Sequence, residues 1–271
     1  MRHLYSVAFV ILVVFTSAAI AADFHVSPDG DDDAAGTADA PWQTLEKASQ
    51  GLQPGDTVIL MPGDYAGQWK PQADGTADQP ITLKAQTRRA VRLIGSGNNT
   101  HAVHIEGRSH IQVEGLCIQP EPRKGRWMLV RDSSNITITD CQMQDGTGGM
   151  PFHIDGCDQV RMQNCLIRRF VGGNMARVSN STHVLIEGCA ISRTGHSPLQ
   201  FYPDESNQFI VIRGCVFHNG WGRNFEHFGT KDILFEHNIL TNALNGGRSA
   251  DAKAKCLFKR GIFRFNRIYR N

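Results

Sequence analysis

The sequence predicts an all-β protein, a right-handed parallel β-helix (solenoid) with a short N-terminal capping helix. One short sequence motif recurs from residue 110 onward and ends each time in Cys or Asn. These anchors are 24, 24, 24, 26, 23 and 28 residues apart: Cys117, Cys141, Cys165, Cys189, Cys215, Asn238 and Asn266. A period of this length indicates a solenoid, a propeller or an array. Apolar residues at every second position, with Gly, Asn, Asp and Ser between the runs, favour stacked β-coils over helical repeats.

The anchor column predicts buried thiols rather than disulfide bridges. Equivalent residues of neighbouring coils lie one strand spacing apart, so the five anchor cysteines should stack inside a turn. Asn238 and Asn266 would continue this column as a ladder of hydrogen-bonded amides. The chain has 7 cysteines, an odd number, and most of them follow the repeat, which favours small buried residues. Cys157 and Cys256 fall outside the column, and their state stays open.

Residues 1–21 have the pattern of a signal peptide. A short basic start precedes an apolar stretch, and Ala19-Ile20-Ala21 supplies the small residues that precede a cleavage site. The apolar stretch is short for a membrane span, and nothing later in the chain resembles one. We therefore expect residues 22–271 to be secreted or periplasmic and to form one domain. Export and the lack of a known binding motif disfavour nucleic acid as a partner.

Within that domain, residues 22–56 are expected to form the N-terminal cap and residues 57–271 the coils. Apolar residues at 42, 45, 48 and 52 have a helical spacing, which predicts a short amphipathic helix over the open end of the solenoid. At the other end the chain stops in the middle of a coil. This predicts an uncapped end, either in a truncated gene product or under a partner that covers it.

An earlier strand of each coil carries the candidate functional residues. Side chains alternate between the two faces of a strand, so an apolar set facing inward leaves two columns facing outward. The first column is His104, Leu129, His153, Arg177, Gln200, Glu226 and Leu257. The second column is Glu106, Arg131, Asp155, Ser179, Tyr202, Phe228 and Lys259. Groups stacked about 5 Å apart form a platform for an extended polymer, and a hydrated face with cross-strand ion pairs is the alternative.

The chain also resembles a known family. Phe24-His-Val-Ser-Pro-Asp-Gly, Ala40-Pro-Trp and Leu52-Gln-Pro-Gly-Asp-Thr-Val-Ile-Leu resemble the opening of secreted right-handed β-helix proteins, many of them polysaccharide lyases. Pro62-Gly-Asp-Tyr and Gln79-Pro-Ile-Thr-Leu-Lys-Ala-Gln resemble the alginate lyase and chondroitinase B group in particular. The resemblance implies the β-helix fold and an acidic polysaccharide as partner.

The calcium signature that the resemblance implies is only half present. Those lyases use an Asn-Gly-Gly-Glu-Ser-Glu stretch to bind calcium and a Lys on the following strand as the base. Here residues 245–250 read Asn-Gly-Gly-Arg-Ser-Ala, and Leu257 stands at the Lys position, between Lys255 and Lys259. Asp251 alone is a poor calcium site, so calcium stays open and no residue is assigned to a metal.

These observations predict a carbohydrate-active protein and leave its chemistry open. In a polysaccharide lyase acting by β-elimination, Arg177 would neutralise the sugar carboxylate, His153 or Lys259 would be the base, and Tyr202 the acid. The predicted substrate-binding residues are Arg131, Asp155, Gln200, Glu226 and Trp221. The alternatives are a glycosidase that uses Glu226 and Asp155, and a non-catalytic carbohydrate-binding or cell-surface β-helix, which the missing lyase carboxylates favour.

Overall fold

The chain folds as a parallel β-solenoid, as the repeat period predicts. The computed structural model describes residues 21–95, 100–119, 126–147, 152–171, 176–194, 199–202, 206–220, 225–227, 230–241, 254–256 and 260–269. A complete coil contributes one strand to each of three sheets, and the strands pair in parallel with their equivalents in the neighbouring coils. The predicted signal peptide lies outside the described residues, apart from Ala21.

Sheet A contains ten strands within the described part of the chain. In spatial order they are β1 (Asp23–Val26), β2 (Thr57–Leu60), β4 (Ile81–Ala85), β7 (Ser109–Glu114), β10 (Ser134–Thr139), β13 (Asp158–Gln163), β16 (Thr182–Glu187), β19 (Gln208–Arg213), β22 (Lys231–Glu236) and β25 (Arg260–Arg264). Strand β1, in the predicted cap, is thus already paired with the first coil.

The other two sheets complete each coil. Over the same described residues, sheet B comprises β3 (Gly63–Tyr65), β5 (Val91–Leu93), β8 (Cys117–Ile118), β11 (Gln142–Thr147), β14 (Leu166–Val171), β17 (Ala190–Thr194), β20 (Val216–Gly220), β23 (Ile239–Thr241) and β26 (Arg267–Tyr269). Sheet C comprises β6 (His101–Glu106), β9 (Arg126–Arg131), β12 (Phe152–Asp155), β15 (Ala176–Ser179), β18 (Leu199–Phe201), β21 (Phe225–His227) and β24 (Ala254–Cys256).

The N-terminal segment packs against the first coils without the predicted amphipathic helix. Its apolar residues are buried as their spacing required: Trp42, Leu45, Ala48 and Leu52. The regular structure between them is a three-residue 3₁₀ helix, Lys47–Ser49. Trp42 forms a β-bridge with Val26, and Gly51 has a left-handed φ of 68°. Eight residues lie between these two points, fewer than the roughly 12–15 that a helix needs to be stable by itself.

The anchor column is buried, but it begins with Leu116 and not with Cys117. The amide of Gln142 donates to the carbonyl of Leu116, just as the amide of Leu166 donates to the carbonyl of Cys141. Leu116 is therefore equivalent to Cys141, and Cys117 lies one residue past the column. The spacing argument failed here because it took 24 residues, the distance from Cys117 to Cys141, as the length of this coil. Ile111 is registered on Ile136, so the coil is one residue longer.

From Cys141 onward the predicted stacking of small groups is confirmed. Each anchor thiol points to a carbonyl of the preceding coil, at 3.8, 3.7, 3.6 and 3.5 Å for Cys141, Cys165, Cys189 and Cys215. The six cysteines with described side chains are unpaired thiols, including Cys157, where burial raises the pKa to about 11. The side chain of Cys256 lies outside the described residues.

Asn238 and Asn266 replace the thiols in the last coils, and their side chains bond to the backbone of the preceding coil, whereas the sequence predicted a ladder of amides. Asn238 Oδ1 accepts the amide of Cys215 at 2.8 Å, and its Nδ2 donates to the carbonyl of Ile212 at 2.9 Å. Asn266 Oδ1 repeats the arrangement on the amide of Asn238 at 2.9 Å. The side chains thereby satisfy backbone groups that a turn leaves without a ladder partner.

Candidate functional site

The outer face of sheet C carries the predicted site residues on neighbouring strands. Its first column runs through His104, Leu129, His153, Arg177 and Gln200, which are registered on one another in that order. Its second column runs through Glu106, Arg131, Asp155 and Ser179. The residues predicted to face inward are all buried: Val103, Ile105, Val130, Phe152, Ile154, Val178, Leu199 and Phe201. The alternation read from the sequence thus places both columns outward.

His153 lies at the centre of the first column in a partly buried position. Its Nε2 is 3.0 Å from Ser179 Oγ. Burial lowers the pKa of the ring, and the charges of Arg177 and Arg131 lower it further, against the opposing effect of Asp155. The imidazole is therefore neutral at neutral pH and has a nitrogen able to accept a proton.

Arg177, next along the column, is held by its neighbours on two sides. Its Nε donates to Gln200 Oε1 at 2.9 Å, and its guanidinium carbon lies 5.0 Å from the ring centroid of Tyr202. Gln200 is buried, whereas Tyr202 is 45 % exposed. The contact is within the range of a cation–π interaction, so the arginine and the phenol lie together on this face.

The second column is a chain of ion pairs. Glu106 lies 3.2 Å from Lys70 Nζ and 3.5 Å from Arg131, and Arg131 lies 3.8 Å from Asp155. Asp155 also accepts a hydrogen bond of 2.9 Å from Asn180 Nδ2. The hydrogen bond from Lys70 lowers the pKa of Glu106. This column matches the cross-strand ion-pair alternative, and such exposed pairs stabilise a fold by at most about 1 kcal/mol.

An open groove adjoins the second column at the turn between sheets C and A. Its volume is about 480 Å³, and its lining includes Asp132, Gly156, Asp158 and Asn180. Successive turns place a left-handed residue at the same point, with φ of 47°, 66° and 48° at Asp132, Gly156 and Asn180. Asn180 links this groove to the sheet through its bond to Asp155.

The N-terminal end of the same face contains polar groups that sequence reasoning missed. Ala102 and Val103 are consecutive and both fully buried, as are Trp127 and Met128, so the inward–outward alternation breaks at this point. The ring centroids of His101 and His104 are 6.0 Å apart, which places His101 on the outer side with His104. The sequence gives no signal for such a break because both strands keep their apolar character through it.

Several nitrogens in this region are buried and have no hydrogen-bond partner in the structure. They include His101 Nε2, His104 Nε2 and Arg126 Nε. His104 Nε2 is 3.3 Å from Glu106 Oε2, and burial lowers the pKa of the His104 ring. Burial, followed by the charge of Arg126, lowers the pKa of His101 to about 3, so its ring is neutral.

Three predicted site residues, Trp221, Glu226 and Lys259, lie wholly or partly outside the described residues. Trp221 and Lys259 lie outside the described residues, together with Leu257 and Asp251. The backbone of Glu226 is registered on Gln200, but its side chain is not described. The register then continues from Glu226 to Lys255, so the first column reaches Lys255 and not Leu257 as predicted. The prediction assumed that the sheet C strand lies at a fixed number of residues before the anchor Asn266. In the last coil this strand begins two residues earlier in the sequence than that assumption gives.

The described carboxylates of this face do not fit a calcium site. Within the described part of the chain, no group of three or more His, Cys, Asp and Glu side chains is arranged to hold a metal ion. Glu106 and Asp155 each lie against a Lys or Arg side chain, whereas calcium needs six to eight oxygen ligands. The segment 245–250 and Asp251 lie outside the described residues.

Comparison with known proteins identifies the family. The sequence model of the Pel9A-like right-handed β-helix region matches residues 24–168, which is 145 of the 271 residues. The chain belongs to this Pel9A-like family. The predicted resemblance to polysaccharide lyase β-helices is thereby confirmed. Arg131, His153 and Asp155 lie within the matched region, and Arg177, Gln200 and Tyr202 follow it.

Two curated relatives match shorter segments of this Pel9A-like protein. Pectate lyase PEL9 of Emericella nidulans is 42% identical over 80 residues, which is 29% of this chain and 20% of that protein. The protein YwoF of Bacillus subtilis is 31% identical over 100 residues, 35% of this chain and 21% of that protein. The matched segments thus span about a fifth of the length of these relatives.

Solved structures of low identity share the fold. Pectate lyase Pel9A superposes with a TM-score of 0.59 at 13% identity, over 90% of this chain and 79% of that chain. An alginate lyase from Paenibacillus sp. str. FPU-7 gives 0.58 at 16% identity, over 83% and 77%. PfbA, a surface adhesin of Streptococcus pneumoniae, gives 0.56 at 15% identity, over 73% and 57%. No helix of the described residues is long and apolar enough to cross a membrane.

Proposed function

We propose that the protein is an exported polysaccharide lyase that cleaves a uronate-containing polysaccharide by β-elimination on the outer face of sheet C. The observation that carries this proposal is the placement of His153 and Arg177 on adjacent strands, with Tyr202 directly after the next strand and its ring against the guanidinium. Membership of the Pel9A-like family and the pectate lyase relative support the same reaction class. The signal-like residues 1–21 support export.

Each step of β-elimination has a candidate group on this face. His153 removes the proton from the ring carbon next to the sugar carboxylate, and the electrons left behind form a carbon–carbon double bond. The bond from the neighbouring carbon to the glycosidic oxygen breaks, and the Tyr202 hydroxyl gives its proton to that oxygen. General bases and acids of this kind typically contribute about 10²–10⁴-fold each.

Arg177 neutralises the sugar carboxylate, on which negative charge develops when the proton leaves. A guanidinium matches the planar carboxylate with two parallel N–H donors, and the Nε of Arg177 also donates to Gln200 Oε1. The hydrogen bond to Gln200 and the contact with the Tyr202 ring position the guanidinium before substrate arrives. A donor fixed in advance stabilises a developing charge without reorganisation, which is typically worth about 10²–10³-fold.

The direct test follows the ultraviolet absorbance of unsaturated uronate during incubation with pectate, alginate and glycosaminoglycans, with and without calcium. We expect absorbance to rise with at least one polymer, and His153→Ala to lose this activity. Arg161→Ala is the matched control, because Arg161 is exposed on sheet A in the same coil. No rise with any acidic polymer contradicts the lyase. New reducing ends without absorbance would indicate a glycosidase instead.

A non-catalytic carbohydrate-binding β-helix is the second candidate. It is favoured by the second column, where Arg131 and Asp155 engage each other and Glu106 engages Lys70. These residues contribute a hydrated, charge-balanced surface without a free acid–base pair. Retention of the protein on immobilised acidic polysaccharide, without product, supports this function over the lyase.

A further inference from the structure

We propose that His101 and Arg126 form a carboxylate subsite at the N-terminal end of the sheet C face, with His101 Nε2–H and Arg126 Nε–H as its donors. The subsite would hold the carboxylate of a uronate unit distant from the bond that is cleaved. It rests on the proposed function, because the ligand is the same acidic polysaccharide. It extends that function from the reacting unit to a second point of recognition.

The two residues occupy adjacent positions on neighbouring strands. His101 of β6 is registered on Arg126 of β9, so their backbones lie about 4.8 Å apart. His101 shares the outer side with His104, as their ring separation of 6.0 Å shows. The residue after each of them, Ala102 after His101 and Trp127 after Arg126, is buried. The inward–outward alternation therefore breaks at the same point in both strands, which gives Arg126 the same outward direction as His101.

His101 Nε2 and Arg126 Nε lack hydrogen-bond partners although they are buried. His101 is 8% exposed, and both His101 Nε2 and Arg126 Nε have no hydrogen-bond partner among the atoms of the structure. Native proteins satisfy nearly all buried polar groups, because a donor without an acceptor loses the hydrogen bond it makes with water. Two such donors on adjacent strands are explained if a ligand oxygen completes each of them.

The surroundings favour an anion as that ligand. Arg126 and Arg131 carry positive charge, while His101, His104 and His153 have lowered pKa values and are neutral. The nearby carboxylate, Glu106, is already paired with Lys70 and Arg131. A neutral imidazole offers one N–H and the guanidinium another, so the pair matches the two oxygens of one carboxylate.

The position of the subsite separates recognition from chemistry. Two strand steps lie between Arg126 on β9 and Arg177 on β15, about 10 Å along the solenoid. A carboxylate at His101 and Arg126 therefore belongs to a different sugar unit from the one at Arg177. Loss of the subsite should weaken substrate binding and leave the rate of the bound complex unchanged.

The test compares the unaltered protein with Arg126→Ala and Arg126→Lys on pectate and alginate, and on the same polymers with esterified carboxyl groups. We expect Arg126→Ala to raise KM on the acidic polymers about tenfold with kcat unchanged, and to leave affinity for the esterified polymers unchanged. Arg126→Lys should recover only part of the affinity, since Lys keeps the charge but not the Nε donor. Arg161→Ala is the charge-matched control and should change nothing.

Other results would overturn the subsite. An unchanged KM in Arg126→Ala, or full recovery in Arg126→Lys, would show that no specific donor is used there. An equal loss on acidic and esterified polymers would remove the carboxylate as ligand. If Arg126→Ala fails to fold, the imidazole NMR signal of His101 in the unaltered protein replaces it, and a signal that does not move with a galacturonate or a guluronate trimer overturns the proposal.

The failure of this subsite and the failure of the lyase are distinguishable. If the unaltered protein neither cleaves nor binds any acidic polymer, both proposals fail. If it cleaves one and Arg126→Ala cleaves it with the same KM, only the subsite fails. A protein that binds without cleaving, and loses affinity in Arg126→Ala, keeps the subsite and contradicts the lyase.

Discussion

The outer faces of sheets A and C both carry charged residues, but they use them differently. On sheet A, Arg213 Nε contacts Glu187 Oε1 at 2.5 Å, and Arg264 contacts Glu236 at 2.7 Å. On sheet C, the corresponding rows include buried histidine and arginine nitrogens without partners and an arginine positioned over the ring of an exposed tyrosine. Sheet A balances its charges across neighbouring coils, whereas part of sheet C does not.

This difference separates structural polar residues from candidate functional ones. A paired, exposed charge keeps a sheet face soluble and prevents mispairing, and it contributes little free energy. A buried donor without an acceptor is costly and persists where a ligand completes it. The ion pairs of Glu106, Arg131 and Asp155 in the second column resemble those of sheet A, so the functional assignment concentrates on the first column, on Tyr202, and on His101 and Arg126.

The largest effect is expected at Arg177. Arg177→Ala should lower kcat of uronate elimination about 10²–10³-fold, because it removes the donor that neutralises the sugar carboxylate. The loss is measured as the initial rate of absorbance increase at saturating polymer, with circular dichroism as the check on folding. Arg213→Ala, on sheet A, should retain full activity. Equal activity in the two variants would erase the distinction between the faces.

A smaller but clear effect on stability is expected in the turn that carries the anchor column. Asn238→Ala removes the partners of the Cys215 amide and the Ile212 carbonyl, both in a buried turn. We expect a loss of about 2–5 kcal/mol in the free energy of unfolding, measured by urea denaturation. Cys189→Ala, which removes only a weak thiol contact, should cost about 1 kcal/mol. Similar losses in both variants would contradict this role of the Asn238 side chain.

The depressed pKa of His101 predicts a pH-dependent contribution to stability. The folded ring has a pKa of about 3 and the unfolded ring about 6.5, so the unfolded state binds more protons between these values. Stability from this group is fully present above pH 6.5 and is lost as the pH falls toward 3, by at most about 1.4 kcal/mol per pH unit. His101→Gln should flatten the slope of unfolding free energy between pH 6 and 4. Parallel slopes in the two proteins would contradict the burial of this ring.

The smallest effect is expected from the charged pairs of sheet A. Arg213→Ala should change the free energy of unfolding by less than about 1 kcal/mol, since both partners are partly exposed and Glu187 keeps its bond to Gln163. Urea denaturation at low and high salt measures this. A loss well above that value would mean that the ion pairs of sheet A contribute substantially to the stability of the fold, which would contradict this account.

The fold was largely predictable from the sequence because the repeat period and the alternation of apolar residues act on every coil. Both determine which side chains face inward, and the eight sheet C residues that were predicted to face inward are all buried. The same reasoning gave positions in the columns that are wrong by one residue at Cys117 and by two residues at the last coil, where Lys255 stands in place of Leu257. It counted residues from the repeated anchor, whereas coils of unequal length are aligned by their hydrogen bonds.

The candidate site was predictable only where the alternation is regular. His153, Arg177 and Tyr202 follow from parity along their strands, and the structure places them together. His101 and Arg126 could not be found in this way, because two consecutive inward residues reverse the parity at that point. The left-handed residues that begin the sheet A strands also escaped prediction, since His183, Phe209 and Asp232 share that conformation without sharing chemistry.

The central claim is that an acidic polysaccharide binds along the outer face of sheet C. A crystal structure of the His153→Ala variant with a uronate oligosaccharide tests it directly, because the variant lacks the proposed base and should bind the chain without cleaving it. The account predicts sugar density beside Arg177 and Tyr202, with a second carboxylate against His101 and Arg126. An oligosaccharide seated on sheet A or sheet B, with sheet C bare, would contradict it.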